Sequence, residues 1–206
     1  TQNTNTIDMI LSLNGIPIIA LELKNQLKGQ SIDNAKSQFM YDRNPKELIF
    51  GFNNRILVYF AVDLYEVAMT TQLKGRNTYF LPFNQGSNGA GEIGGAGNPI
   101  GDGEGYATSY LWEKVLQKDA LLDILQRFIH LSVEEKTEKV NGKRVKKVSK
   151  KIIFPRYHQL DVVTKLVANV KANGSGKNYL IQHSAGSGKS NSIAWLSYHL
   201  ATLHDN

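Results

Sequence analysis

The sequence contains no cysteine, which excludes disulfide bonds and thiolate-bound metals and suits a reducing cytoplasm. It has no apolar run approaching about 18 residues, so no segment reads as a membrane-spanning helix. The opening "TQNTNTIDM" lacks the basic-then-apolar order of a secretory signal, and no internal repeat is visible. General basicity is missing as well. The formal charge is +6, but the stretch 136–151, "KTEKVNGKRVKKVSKK", holds eight basic residues against one acidic. The remainder is near neutral, so the chain reads as a neutral body with one basic projection rather than a basic coat. What is present, 206 residues with 41% hydrophobic, suffices for one large domain or two small ones.

The pattern predicts an α/β chain. Residues 7–13 read as a strand, Asn14-Gly15 as a hairpin turn, and 16–24 as the second strand. A helix follows around Ile32, Ala35, Phe39 and Met40, with Ser31, Asp33 and Asn34 offering cap chemistry. The stretches 46–53, 55–63, 65–73 and 77–83 read as further strands, rich in β-formers. Gly86–Gly105 holds nine of the 18 glycines and reads as an irregular loop; with no strand–helix context it is not a dinucleotide fingerprint. Residues 109–131 carry a helical stripe, 134–151 a basic hairpin about Asn141-Gly142, and 156–170 a second amphipathic helix. Then come a short buried strand at 178–183, a glycine-rich loop, and a helix at 191–203. The expected division is 1–108, 109–151 as a connecting helix and hairpin, and 152–206.

Within "IIALELKN" (18–25), Glu22 and Lys24 interrupt an otherwise apolar strand. Alternation puts Ala20, Glu22 and Lys24 on one face. If the Asn14-Gly15 turn pairs the two strands in register, facing positions sum to 29, and Asp8 lies opposite Leu21, one step from Glu22. A bulge or a slightly different register would bring the two carboxylates onto one face, which sequence alone does not show. Two neighbouring carboxylates repel unless a cation joins them. Mg²⁺ takes oxygen ligands and activates water, and a lysine alongside steers a nucleophile or neutralises phosphoryl charge. Asp8, Glu22 and Lys24 thus form a coherent phosphodiesterase centre, with Asp8 and Glu22 as metal ligands. The competing reading is a surface ion pair on an edge strand.

The segment "HSAGSGKS" (183–190) has the chemistry of a phosphate loop. Backbone N–H groups of Ser184, Ala185, Gly186, Ser187 and Gly188 turn toward phosphate at a helix N-terminus. Lys189 reaches the β- and γ-phosphates of ATP, and the Ser190 hydroxyl holds Mg²⁺. His183 stands where the usual first glycine would be.

The hairpin "NTIDMIL…NGIPIIALELKN" resembles the nuclease core of the PD-(D/E)xK superfamily, most closely the restriction (HsdR) subunit of type I restriction–modification enzymes. Asp8, Glu22 and Lys24 match the family's catalytic positions. In the following helix, Gln38 and Tyr41 match its Gln–Tyr pair, although two residues separate them here where three is commoner. "RYHQ" resembles the element of superfamily 2 helicases whose glutamine reads adenine, which implies nucleotide contacts for Gln159 and Arg156. The fold this implies is a mixed-sheet PD-(D/E)xK nuclease core followed by the first elements of a RecA-like P-loop domain. The function implied is an ATP-dependent endonuclease subunit acting on double-stranded DNA beside methyltransferase and specificity subunits. From its charge alone, the basic arm 136–151 reads as a contact to the DNA backbone or as a solvated charged loop. The chain is expected to be a window of a larger subunit, unable to hydrolyse ATP alone. The alternative is a helicase or ATPase fragment whose first sheet only docks DNA or another subunit.

Overall fold

The computed structural model describes residues 6–88, 95–99, 105–140 and 143–203, with the side chains of 138–140 and 143 left aside. Most of the glycine-rich segment and the Asn141-Gly142 turn lie outside the described residues. The chain forms two compact units, one of residues 1–82 with 129–154, the other of 83–128 with 155–206. The basic hairpin lies within the first of these units.

The first unit is built on a five-stranded mixed sheet in the order β1 (Met9–Leu13), β2 (Ile16–Leu23), β3 (Val58–Val62), β4 (Val67–Thr70), β5 (Leu81–Pro82). β1 and β2 form an antiparallel hairpin. Its turn places Asn14 at φ 50° and Gly15 at φ 80°, the double left-handed geometry that makes Asn-Gly a hairpin signal. β2 and β3 run parallel, so a crossover must join them, and α1 (Ile32–Tyr41) supplies it. Ile32, Ala35 and Phe39 recur at helical spacing and pack on Ala20, Tyr59 and Ala61, with the Phe39 ring edge-on to Tyr59 at 5.5 Å. Asp63, just past β3, ties the start of this crossover to the β3–β4 turn. Its Oδ2 accepts from Ile32 N and Gln26 Nε2, each at 3.0 Å, while Oδ1 accepts from the Tyr65 and Glu66 amides of the β3–β4 turn.

Two expected strands shrink or vanish. Residues 46–53 form turns, with Phe50 N and Gly51 N both bonded to Glu47 O, because Phe50 is drawn into the core rather than into a ladder. Of 77–83 only Leu81 and Pro82 pair.

The basic segment forms a separate two-stranded ribbon, β6 (His130–Val140) and β7 (Lys143–Ile153). Its root is held in the first unit by Thr71 Oγ1, which donates to Ile152 O at 2.9 Å, and by the Phe60–Phe154 ring pair.

In the second unit, the expected helix 109–131 is broken. Residues 111–115 and 124–128 form wide turns with i→i+5 bonding, and α2 (Lys118–Asp123) lies between them. Extended backbone at Gln117 (ψ 146°) interrupts the helical ladder, and residue 130 already belongs to a strand. α3 (Tyr157–Asn173) starts after the helix-excluding Phe154-Pro155, and α4 (Lys189–Ala201) follows the glycine-rich loop. Trp195 Nε1 donates to Phe128 O at 2.8 Å, and His199 sits between Trp195 O and Asp123 Oδ2. The buried strand expected at 178–183 does not form. Leu180 is 95% exposed, and no strand of the described residues lies beside it to complete a ladder. No helix of the described residues is long and apolar enough to cross a membrane.

Candidate active site

The hairpin register differs from the simple count, and the difference decides the site. Next to the turn, Leu13 pairs with Ile16 and Ser12 with Pro17, as expected. Beyond a bulge the pairs become Leu11–Ile19, Ile10–Ala20 and Met9–Leu21. One extra residue, Ile18, sits on β2, and every later partner moves by one. Continued one step further, the shifted register sets Asp8 opposite Glu22 rather than Leu21. Asp8 Oδ2 accepts the Leu23 amide at 2.8 Å, and it lies 3.6 Å from Lys24 Nζ. Beyond the end of β2, Lys24 N still donates to Val62 O, which keeps this backbone extended beside β3. Asp8, Glu22 and Lys24 are therefore gathered at one end of the β1–β2–β3 ladder.

Glu22 is fully buried, on the sheet face that packs under α1 beside Ala20 and Ala61. Burial pushes its carboxyl above the ordinary range. Arg43 opposes that shift, Asp8 reinforces it and Lys24 opposes it. Arg43, 2% exposed, donates from Nε at 3.0 Å and from Nη2 at 2.5 Å to a single oxygen, Glu22 Oε1. Its Nη2 also donates to Thr6 O at 2.6 Å. Glu22 Oε2 is buried with no hydrogen bond. A buried carboxylate oxygen without a donor is costly, and a cation is the partner that relieves it. Among the described residues no group of three His, Cys, Asp or Glu side chains gathers anywhere. A metal bound at Asp8 and Glu22 would complete its shell with water and phosphate oxygens, as Mg²⁺ commonly does. The donors fit Mg²⁺ on that ground.

Lys24, Asn34, Gln38 and Tyr41 line one shallow cleft beside α1. Gln38 is half-buried; Tyr41 is 71% exposed, with no core role to account for it. The two-residue spacing leaves both on the cleft side of the helix. Arg43 and Asp63 were missed by the sequence reading. A lone arginine just past a helix gives no local signal. Only the requirement that a buried Glu22 find a counter-charge points to it.

In the second unit, Gln159 and the loop 184–190 come together. Gln159 is buried; Nε2 donates to Ser187 O at 3.2 Å and Gly188 O at 2.9 Å, and Oε1 accepts from Arg156 N at 2.9 Å. Gly188 caps α4 at φ 84°, and a Cβ there would collide with Gln159 Nε2. Lys189 Nζ donates to His183 O at 3.1 Å and Ser184 O at 3.0 Å, so the ammonium sits inside the curl of the loop. Ser190 is exposed in the first turn of α4. His158 and His183 meet edge to face at 4.9 Å, and His158 Nε2 bonds Ser187 O. Burial, His158 and Lys189 depress the His183 pKa. Neither histidine entered the expected site.

A search of curated proteins and one of solved structures gave no significant match. Residues 1–78, which hold Asp8, Glu22, Lys24, Gln38, Tyr41 and Arg43, match the family described as type I restriction enzyme R protein N terminus. That stretch, and with it each of these residues, is therefore similar to the N-terminal region of type I restriction enzyme R proteins.

Proposed function

We propose that the first unit hydrolyses DNA phosphodiesters with Mg²⁺ bound by Asp8 and Glu22. The observation that supports this reading is the bulge-shifted hairpin, whose register sets Asp8 opposite Glu22 and beside Lys24, together with the partnerless Glu22 Oε2. Mg²⁺ bound there supplies Lewis acidity toward a water and a phosphoryl oxygen. Arg43 keeps Glu22 Oε1 occupied, leaving Oε2 as the ligand oxygen. Lys24, held near Asp8, neutralises charge developing on the phosphate. Gln38 and Tyr41 bind the DNA backbone along the cleft beside Lys24. The loop 184–190 and Gln159 bind ATP, with Arg156 near the nucleotide and Ser190 on its Mg²⁺. Opening Gln159 Nε2 away from Ser187 O and Gly188 O would free that amide for an adenine edge. In the assembled enzyme the partners are duplex DNA and methyltransferase and specificity subunits.

Glu22→Gln tests the nuclease centre, because it keeps the shape of the side chain and removes its charge. In the assembled enzyme, Mg²⁺-dependent cleavage of duplex DNA is expected to fall at least a hundredfold, about the scale of losing one well-placed catalytic group. Cleavage within threefold of the parent would refute the centre and favour a docking sheet.

A further inference from the structure

The β6–β7 ribbon is 11 residues long on each strand and pairs without interruption through Lys143–Val140. At about 3.4 Å per residue it extends roughly 37 Å, close to one turn of duplex DNA. Residues 130–153 hold eight basic and three acidic residues, while the rest of the chain holds sixteen and fifteen. Along its length many of the described side chains are exposed. Val133, Val145 and Val148 are exposed, as are Lys136, Lys146, Lys147, Lys150 and Lys151. A free two-stranded ribbon of this kind is marginal in water. Lys136 faces Lys147 directly across the ladder, which sets two cations side by side on one face. The ion pairs Lys136–Glu134 and Lys146–Glu135 are long, at 4.0 Å each, and exposed.

The cations also lie on both faces. Lys136, Lys147 and Lys151 share one side, and Lys146 and Lys150 the other, by the observed register. A flat anionic surface such as a membrane meets one face of a ribbon. A slot with phosphates on both walls meets two, and the major groove admits a two-stranded ribbon. We propose that this ribbon docks lengthwise in a groove of duplex DNA and supplies sequence-independent phosphate contacts, an inference that rests on DNA being the substrate of the first unit.

The test uses the 206-residue chain and a 30-base-pair duplex of arbitrary sequence, by fluorescence anisotropy in EDTA so that no cleavage intervenes. The variant carries Lys146→Gln, Lys147→Gln, Lys150→Gln and Lys151→Gln together. Each phosphate contact contributes about 0.9 to the slope of log affinity against log salt, so the slope is expected to become shallower by about 3 to 4. Between 50 and 200 mM KCl the parent then loses about a hundredfold more affinity than the variant. A slope within one unit of the parent's overturns the proposal, as does parent binding to phosphatidylserine vesicles without binding to duplex. Trypsin digestion of the parent gives a readout that needs no variant: duplex is expected to slow cleavage after Lys146–Lys151 at least tenfold, and unchanged cleavage overturns the proposal. The two readings separate cleanly. An unaltered slope with cleavage still lost in Glu22→Gln removes the ribbon alone, whereas an altered slope with cleavage intact in Glu22→Gln removes the nuclease centre alone.

Discussion

Replacing Arg43 by methionine separates the energetics of the site from its chemistry. In the folded protein Glu22 Oε1 receives both of its hydrogen bonds from Arg43, and Oε2 receives none. Methionine fills similar volume and leaves a fully buried carboxylate with no donor. Removing one member of a buried ion pair costs about 3 to 5 kcal/mol. The loss depends on pH, and its direction follows from Glu22. The carboxyl is already raised by burial, and the two Arg43 contributions that oppose this vanish in the variant, so its folded-state pKa climbs further. In the unfolded chain it titrates near 4.5. Between these values the folded variant holds a proton that the unfolded chain has released, so stability rises as pH falls, by about 1.4 kcal/mol per unit. Arg43→Met is therefore expected to be destabilised by about 3 to 5 kcal/mol at pH 8 and by clearly less at pH 5.5. Urea denaturation followed by far-ultraviolet circular dichroism reads this. Tryptophan fluorescence does not serve, because Trp112 and Trp195 both lie in the second unit. A loss under about 1 kcal/mol at pH 8, or one equal at both pH values, would refute a buried Arg43–Glu22 pair.

Three further outcomes follow from the same geometry. Mg²⁺ affinity of the chain, measured by titration calorimetry, should weaken on acidification already above the ordinary carboxylate range, because the Glu22 proton competes with the metal and is held unusually tightly; affinity flat down to pH 4.5 contradicts this. Gly188→Ala should lose ADP binding and cost about 1 to 3 kcal/mol, since alanine must adopt φ 84° and its Cβ collides with Gln159; parental ADP affinity by fluorescence titration would show the loop tolerates displacement of that amide. The 206-residue chain should bind ADP without measurable phosphate release from ATP, because turnover also needs an acidic metal partner and an arginine at the γ-phosphate; sustained release in a phosphate assay, abolished by Lys189→Ala, would contradict it.

The elements written in local chemistry were legible. Asn14-Gly15 specified a hairpin, Ser31 with the Ile32–Ala35–Phe39 spacing specified α1, and the basic segment pairs as expected on either side of its Asn-Gly centre. Elements that depend on distant partners were not. Residues 178–183 have a strand's apolar content, but a buried strand exists only beside neighbours that bond to it, and the described residues provide none. The 109–131 stripe is compatible with helical turns of either four- or five-residue closure, and periodicity alone does not choose between them. The bulge had a readable cue. Pro17 cannot donate to a ladder, and proline within a strand marks an edge or a bulge. Heeding it would have set Asp8 against Glu22 directly.

The pair at the centre of the site is a poor device for stability, and that gives it meaning. Glu22 and Arg43 are both buried and linked through one oxygen, with the other left unsatisfied. Two apolar residues of similar size in such a place are often neutral or stabilising by about 1 to 4 kcal/mol. The combined variant Glu22→Met, Arg43→Leu should therefore fold with stability equal to or above the parent at pH 8, while Arg43→Met alone falls well below it. Calorimetric Mg²⁺ binding should vanish in the combined variant despite its intact fold. A combined variant that is several kcal/mol less stable would mean that the charges hold the sheet end together. If instead it folds well and binds no metal, the carboxylate is kept in a costly position for what its free oxygen does.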